Sequence, residues 1–200
     1  MARTPTGAAV LQPEVTQAIT DAVLQELADQ GYGRLSMEAV AKRAGVGKSA
    51  LYRRWRSKEE MIAAVVAEFS VTRATDIDTG SLRGDLHETM QALIGWLTHP
   101  LFSRILPDLV AEGVRNPETA ESTRTSIGGP RREVGEAMLR RAIARGELPR
   151  DLDLELALDV LAAPIYWRLV VRQAKAEPDY PDRLVEYALR ALGAQGAQGG

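Results

Sequence analysis

Between Arg34 and Lys58 the chain gathers eight basic side chains: Arg34, Lys42, Arg43, Lys48, Arg53, Arg54, Arg56 and Lys58. Glu38 is the only acid in that window, although the 200-residue chain as a whole carries a formal net charge of -2. Ammonium and guanidinium groups packed this closely suit one kind of chemistry, the binding of phosphate, because a local positive field attracts polyanions whatever the total charge. Charge alone also fits an arginine-rich face turned to water. The stretch AGVGKSALYRRW (44–55) is more specific. On a helix starting near Lys48, Leu51 and Trp55 are four apart and share one face, and Val46 joins them as an apolar anchor. Ser49 and Arg53 lie opposite. Lys48 points forward from the first turn, and Tyr52 and Arg54 flank the apolar stripe where a phosphate oxygen would lie.

Such a helix needs elements that hold it. Pro13 suits a helix first turn, and Val15, Ile19, Ala22, Val23 and Leu27 then recur at helical spacing until Gly31 and Gly33. Ser36 is an N-cap for a second helix with Val40, Ala41 and Ala44 inward, closed by Gly45 in the left-handed conformation. A third helix runs over 48–55. The arrangement 36–44, tight turn, 48–55 is the layout of a helix-turn-helix, whose second helix enters the DNA major groove while the first braces it. Ser57-Lys58-Glu59-Glu60 is a capping box, Ser57 accepting from the Glu60 amide and Glu60 reaching back. It opens a fourth helix through about Phe69.

Residues 71–81 read as a linker, dividing a DNA-binding domain over 13–70 from a helical domain over 82–193, with flexible tails at 1–12 and 194–200. Helical patterns follow from Leu82 to Thr98, and from Leu101 to Gly113 with a kink at Pro107. Another starts at Pro117. Gly128-Gly129-Pro130 is expected to break or kink the segment that ends at Gly146. Asp153 caps a helix interrupted by Pro164, and a last helix opens at Pro181-Asp182 and ends at Leu192–Gly193. No segment reads as a strand, so the fold class is all-α.

GYGRLSMEAVAKRAGVGKSALYRRWRSKEEMIAAVV resembles the N-terminal DNA-binding domain of the tetracycline-repressor (TetR) family: a small turn, a Ser or Thr cap, V-A-x-x-A-G-V, then L-Y-x-x-aromatic and S-K. GELPRDLDLELALDVLAAPIYWRLVV resembles a C-terminal subtype of the same family, a helical domain that binds a ligand and dimerises. The resemblance implies a three-helix helix-turn-helix domain joined to such a domain. It puts Lys48, Ser49 and Arg53 on base edges, and Ser36, Tyr52, Arg54 and Lys58 on the DNA backbone, with Val46, Leu51 and Trp55 as the core beneath. Two departures are visible. Gly47 stands where the recognition helix usually has a Ser or Thr cap, and Ala50 where a Thr is common, so two hydroxyls are missing.

Other chemistries find little support. There is no cysteine, which removes thiolate metal sites, disulfides and cysteine nucleophiles. His87-Glu88-x-x-Gln91 begins like a zinc-protease motif but lacks the second histidine. Arg83-Gly84-Asp85 matches an adhesion tripeptide by letters only. No nucleophile elbow, phosphate loop or dinucleotide fingerprint appears, so neither an enzyme nor a cofactor or metal is expected. The N-terminus lacks a secretory core and the apolar runs are too short for a bilayer, so the expected location is cytoplasmic, away from membrane.

Met90, Trp96, Phe102, Met138, Tyr166 and Trp167 are candidates to line a ligand pocket; taken singly each fits ordinary core better, or the dimer interface for Tyr166 and Trp167. The last two long helices are the natural homodimer surface, through Leu156, Val160, Ala163 and Trp167 on one and Leu184, Tyr187, Ala188 and Leu192 on the other. The expected partners are a palindromic double-stranded DNA operator, a small, largely apolar effector and a second copy of the chain. The expected function is a homodimeric repressor released by that effector. A ligand-independent regulator, or a helical carrier or enzyme with a vestigial head, would be the alternatives.

Overall fold

A computed structural model describes residues 13–71 and 77–194. The expected tail at 1–12, nearly all of the one at 194–200, and positions 72–76 of the linker lie outside the described residues. The described residues form ten α-helices and no strand. In chain order they are α1 (Pro13–Gln30), α2 (Met37–Ala44), α3 (Lys48–Tyr52), α4 (Lys58–Val71), α5 (Leu82–Leu97), α6 (Phe102–Arg115), α7 (Pro117–Thr123), α8 (Gly129–Ala144), α9 (Leu154–Tyr166) and α10 (Tyr180–Ala191). None is long and apolar enough to cross a membrane.

Local chemistry accounts for most of the boundaries. The Ser36 side chain accepts from the Ala39 amide at 3.1 Å, and that of Asp153 from Leu156 at 3.1 Å. Gly45 closes α2 with φ +66°, its amide donating to Lys42 while the Val46 amide donates to Ala41 at 3.0 Å. That pair of bonds satisfies carbonyls otherwise orphaned at a helix end. The capping box at Ser57 forms with a shift: Glu60 N–H donates to Ser57 Oγ at 3.2 Å, but the Glu60 carboxylate reaches Arg56 N–H at 2.7 Å. Asn116 ends α6 and caps α7, accepting from Glu118 and Thr119.

Several expected breaks do not occur. The expected third helix over 48–55 narrows to Lys48–Tyr52 and continues as a turn, with two further α-type bonds, from Arg53 N–H to Ser49 and from Trp55 N–H to Leu51. Gly128-Gly129-Pro130 does not interrupt the chain's helical path. A π turn over Arg124–Gly128 joins α7 to α8, with the Gly129 amide donating five residues back to Arg124. The wider turn accommodates the glycines and a proline without releasing the helix. A second π turn, Trp167–Val171, extends α9, with Arg172 N–H donating to Trp167 at 2.8 Å. Pro107 and Pro164 both sit inside continuing helices. Ala194, expected in the tail, is buried, and its amide donates to Leu189.

One contiguous core runs through both halves. α2 packs across α1 and α3 against α2, while α1 and α4 rest on α6, α7 and the first π turn. Tyr32 fastens this junction: its amide donates to Asp108 Oδ2 at 2.6 Å, and its hydroxyl accepts from Thr119 Oγ1 at 3.2 Å. Burial comes first among the influences that raise the Tyr32 phenol above its ordinary range, so it stays a neutral hydroxyl.

Candidate nucleic-acid interface and internal cavity

α3 has five residues and no side-chain cap at Gly47. Alone it would not hold, since so short a helix cannot repay its nucleation. Leu51 fixes it, being wholly buried, with Val46 and Trp55 half-buried against the same core. The opposite side is left to water: Lys48, Ser49 and Arg53 are exposed, and Tyr52 is 51% exposed. The three residues expected at base edges therefore share one open surface with Tyr52. Ser36 is exposed at the start of α2, its hydroxyl already engaged as the cap.

The basic block divides into open and committed charges. Arg43 binds Glu26 at 2.7 Å and Asp29 at 3.2 Å, tying α2 to α1. The bond to Glu26 leads the influences that raise its guanidinium further. Arg54 turns inward, Nη2 donating to Thr16 at 3.2 Å. Lys58 donates to the Tyr32 carbonyl at 3.2 Å and lies 4.9 Å from the centre of that ring. Lys48 meets Glu38 at 3.2 Å, an exposed pair of small worth that phosphate can displace.

A cavity of about 400 Å³ opens between α5, α6, α8, α9 and the first π turn. Its wall is mostly apolar, including Leu86, Leu93, Ile127 and Leu158. Of the six residues proposed from sequence, Met90, Trp96, Met138 and Tyr166 line it. Phe102 does not: it is fully buried, with Trp96 at 4.3 Å on one side and Phe69 stacked at 5.5 Å on the other. Trp167 does not either, and is 58% exposed on the outer face of α9. Burial raises the Tyr166 phenol, so it meets the cavity as a neutral hydroxyl. Sequence reasoning missed three arginines on this wall, Arg124, Arg131 and Arg132. Nothing in a run of surface-like charges marks them as lining a cavity.

The outer stripe of α9 is apolar and open, with Leu156 at 60% and Ala163 also exposed, and Val160 half-buried. On α10 the expected set splits. Tyr187 is 67% exposed and Leu184 half-buried, but Ala188 and Leu192 are buried in the chain's own core. The α10 helix itself packs against α5. His87 contacts Asp182 at 3.1 Å and Gln91 at 3.2 Å, and no metal-holding cluster exists among the described residues. Asp85, of the adhesion-like tripeptide, is wholly buried and held by Thr79 and Arg145.

Comparison with known proteins agrees with this geometry. Residues 19–65 match the family described as bacterial regulatory proteins, tetR family, and 76–188 match the tetracyclin repressor-like C-terminal domain. The chain belongs to the TetR family of transcriptional regulators. It is 32% identical over 182 residues to the DNA-binding transcriptional repressor TetR of Mycobacteroides abscessus, covering 90% of this chain and 95% of that one. It is 30% identical over 185 residues to the HTH-type transcriptional regulator YdeS of Bacillus subtilis, covering 90% and 91%. A solved TetR family regulator from Pseudomonas syringae shares the fold with a TM-score of 0.70 and 26% identity, covering 91% and 96%. Membership makes this chain a DNA-binding regulator rather than an enzyme.

Proposed function

We propose that this TetR-family regulator is a homodimeric repressor that leaves a palindromic operator when a small, largely apolar effector fills the cavity. The observation that carries the reading is the cavity itself, about 400 Å³ and mainly apolar, within the usual range for ligand sites. Its wall continues through Trp96, Phe102 and Phe69 into α4, the last helix of the DNA-binding half. An effector that favours the conformation with wrongly spaced heads shifts the population by its differential affinity. The repressor named in Mycobacteroides abscessus supports repression as the default.

In this reading residues 13–70 form the head and 82–193 the effector and dimer domain. Lys48, Ser49 and Arg53 meet bases, and Ser36 and Tyr52 meet phosphates. Arg54 and Lys58 also meet phosphates; their bonds to Thr16 and the Tyr32 carbonyl each use one N–H donor of several. Dimerisation uses the outer stripe of α9, Leu156, Val160, Ala163 and Trp167, with Leu184 and Tyr187 of α10. Two recognition helices then stand roughly 34–36 Å apart, one DNA turn. The work of such a regulator places it in the cytoplasm.

The test is fluorescence anisotropy of the purified protein on its own upstream DNA across a salt series. Wild type should show a steep negative salt slope and prefer a palindrome. Arg53→Ala should lose about 1–3 kcal/mol of discrimination at one base pair per half-site and leave phosphate-driven binding in place. Binding indifferent to sequence and to the substitution would refute the assignment.

A further inference from the structure

The described residues lining the cavity include three with a hydroxyl, Thr89 of α5, Thr123 of α7 and Tyr166 of α9. A threonine on a helix can donate to the carbonyl four residues back, and Thr98 and Thr125 do so at 2.8 and 2.9 Å. Thr89 does not. Its hydroxyl turns to the Met138 sulfur at 3.6 Å, and Met138 lines the cavity as well. A thioether is a weak acceptor, so that hydroxyl is barely paired. The Tyr166 hydroxyl has no hydrogen-bond partner among the described residues, and it is not sealed inside the protein. Burial is the one influence that raises its phenol, so the group is withdrawn from bulk water without gaining a bond in return. Thr123 is unpaired too, but it also borders a smaller space beside Tyr32. Thr89 and Tyr166 border the large cavity alone.

We propose that the effector is an apolar frame bearing uncharged oxygen groups, carbonyl, ether or hydroxyl, and that the Tyr166 and Thr89 hydroxyls hold them. This rests on reading the cavity as the effector site. In solution such hydroxyls pair with water. A ligand that expels the water and offers no polar atom strands them in apolar surroundings, at the full cost of desolvation. A ligand with an oxygen in reach replaces the bond that water made. Tyr166 has no protein bond to break for this, and Thr89 has only its contact with sulfur. Each hydroxyl can donate as well as accept, so a carbonyl, an ether and a hydroxyl all suit it. Sites that hydrogen-bond a ligand reject the analogue lacking the matching atom far better than apolar walls reject an extra methylene. Thr89 and Tyr166 thereby supply the discrimination that the apolar remainder of the wall cannot.

The experiment compares two probes of one shape on the full chain: 2-acetyl-6-methoxynaphthalene, which carries a carbonyl and an ether, and 2,6-diethylnaphthalene, which carries neither. Equilibrium dialysis gives affinity for wild type, Tyr166→Phe and Thr89→Val, and anisotropy gives the effect on operator binding. Comparing the pair across variants cancels the greater hydrophobicity of the hydrocarbon. Each substitution should weaken the oxygenated probe about fivefold, the worth of one hydrogen bond. The hydrocarbon should bind each variant as well as wild type or better, which also shows that the cavity is intact. The oxygenated probe should weaken operator binding, at correspondingly higher concentration in the variants. Equal loss of both probes would mark the hydroxyls as structural and overturn the proposal. Unchanged affinity of the oxygenated probe in both variants would overturn it and leave the effector cavity standing. A loss confined to one variant would overturn the part given to the other hydroxyl. Neither probe binding wild type or altering DNA affinity would bring down the effector reading, and this proposal with it.

Discussion

Replacing Gly45 by alanine isolates the cost of one backbone conformation. Gly45 has φ +66°, and a Cβ built there meets nothing within 4 Å. No clash contributes, so the penalty is that of holding an L-residue left-handed, about 1–2 kcal/mol. For a chain of this size each kcal/mol lowers Tm by about 2–4 °C, so Gly45→Ala should melt about 2–8 °C below wild type. Gly33→Ala is the control: its Cβ also meets nothing, and its φ is outside the left-handed range. There alanine only reduces the freedom of the unfolded chain and should be neutral or stabilising, by up to about 1 kcal/mol. Gly45→Asn should fall between, because asparagine visits that conformation more readily. The assay is thermal unfolding by circular dichroism at one protein concentration, with operator anisotropy alongside. Equal melting of Gly45→Ala and Gly33→Ala would refute the view that the turn before α3 is held by glycine's left-handed geometry.

Gly47→Ser supplies the side-chain cap that α3 lacks; its Cβ has only Ser49 Oγ nearby, at 3.7 Å. It should add a few tenths of a kcal/mol, read as a small rise in Tm. Burial alone would raise the Asp85 carboxyl, but the Thr79 amide and hydroxyl and the Arg145 guanidinium outweigh it and hold it below the ordinary carboxylate range. Its contribution is therefore complete above about pH 4 and is lost as pH falls through the depressed value. Asp85→Asn should cost about 1–3 kcal/mol at pH 7 and flatten the acid limb of a Tm–pH curve; an unchanged acid limb would count against it.

Features decided by a few neighbouring residues are legible in the sequence. Ser36 and Asp153 cap as their types demand, Gly45 takes the positive φ its position requires, and the Leu51–Trp55 spacing announces which side of the third helix faces inward. Features decided by what lies across a gap are not. An apolar stripe looks alike whether it meets the chain's own core or a second copy, so spacing alone turns Ala188 and Leu192 outward with Tyr187, and only Tyr187 is open to solvent. Phe102 and Trp96 are adjacent aromatics in space, yet only Trp96 touches the cavity. Gly128-Gly129-Pro130 is a breaker by local propensity, and packing around buried Ile127 holds the helical path through it. Arg131 lies in a run of charges that reads as solvated surface, and no spacing rule points to Ser70, 61 positions away.

The two π turns make chain length itself a carrier of information. A π turn holds one residue more than an α turn closing the same span, and each residue of an α-helix rotates the chain beyond it by about 100°. Deleting one residue within 124–128 would leave an unbroken helix, out of phase: Thr119 would keep its place in the core only if Arg131 and Met138 swung off the cavity wall. The same holds across 167–171 for the outer stripe of α9. In these segments an insertion or deletion acts as a rotation, and the number of residues is constrained as tightly as their kind.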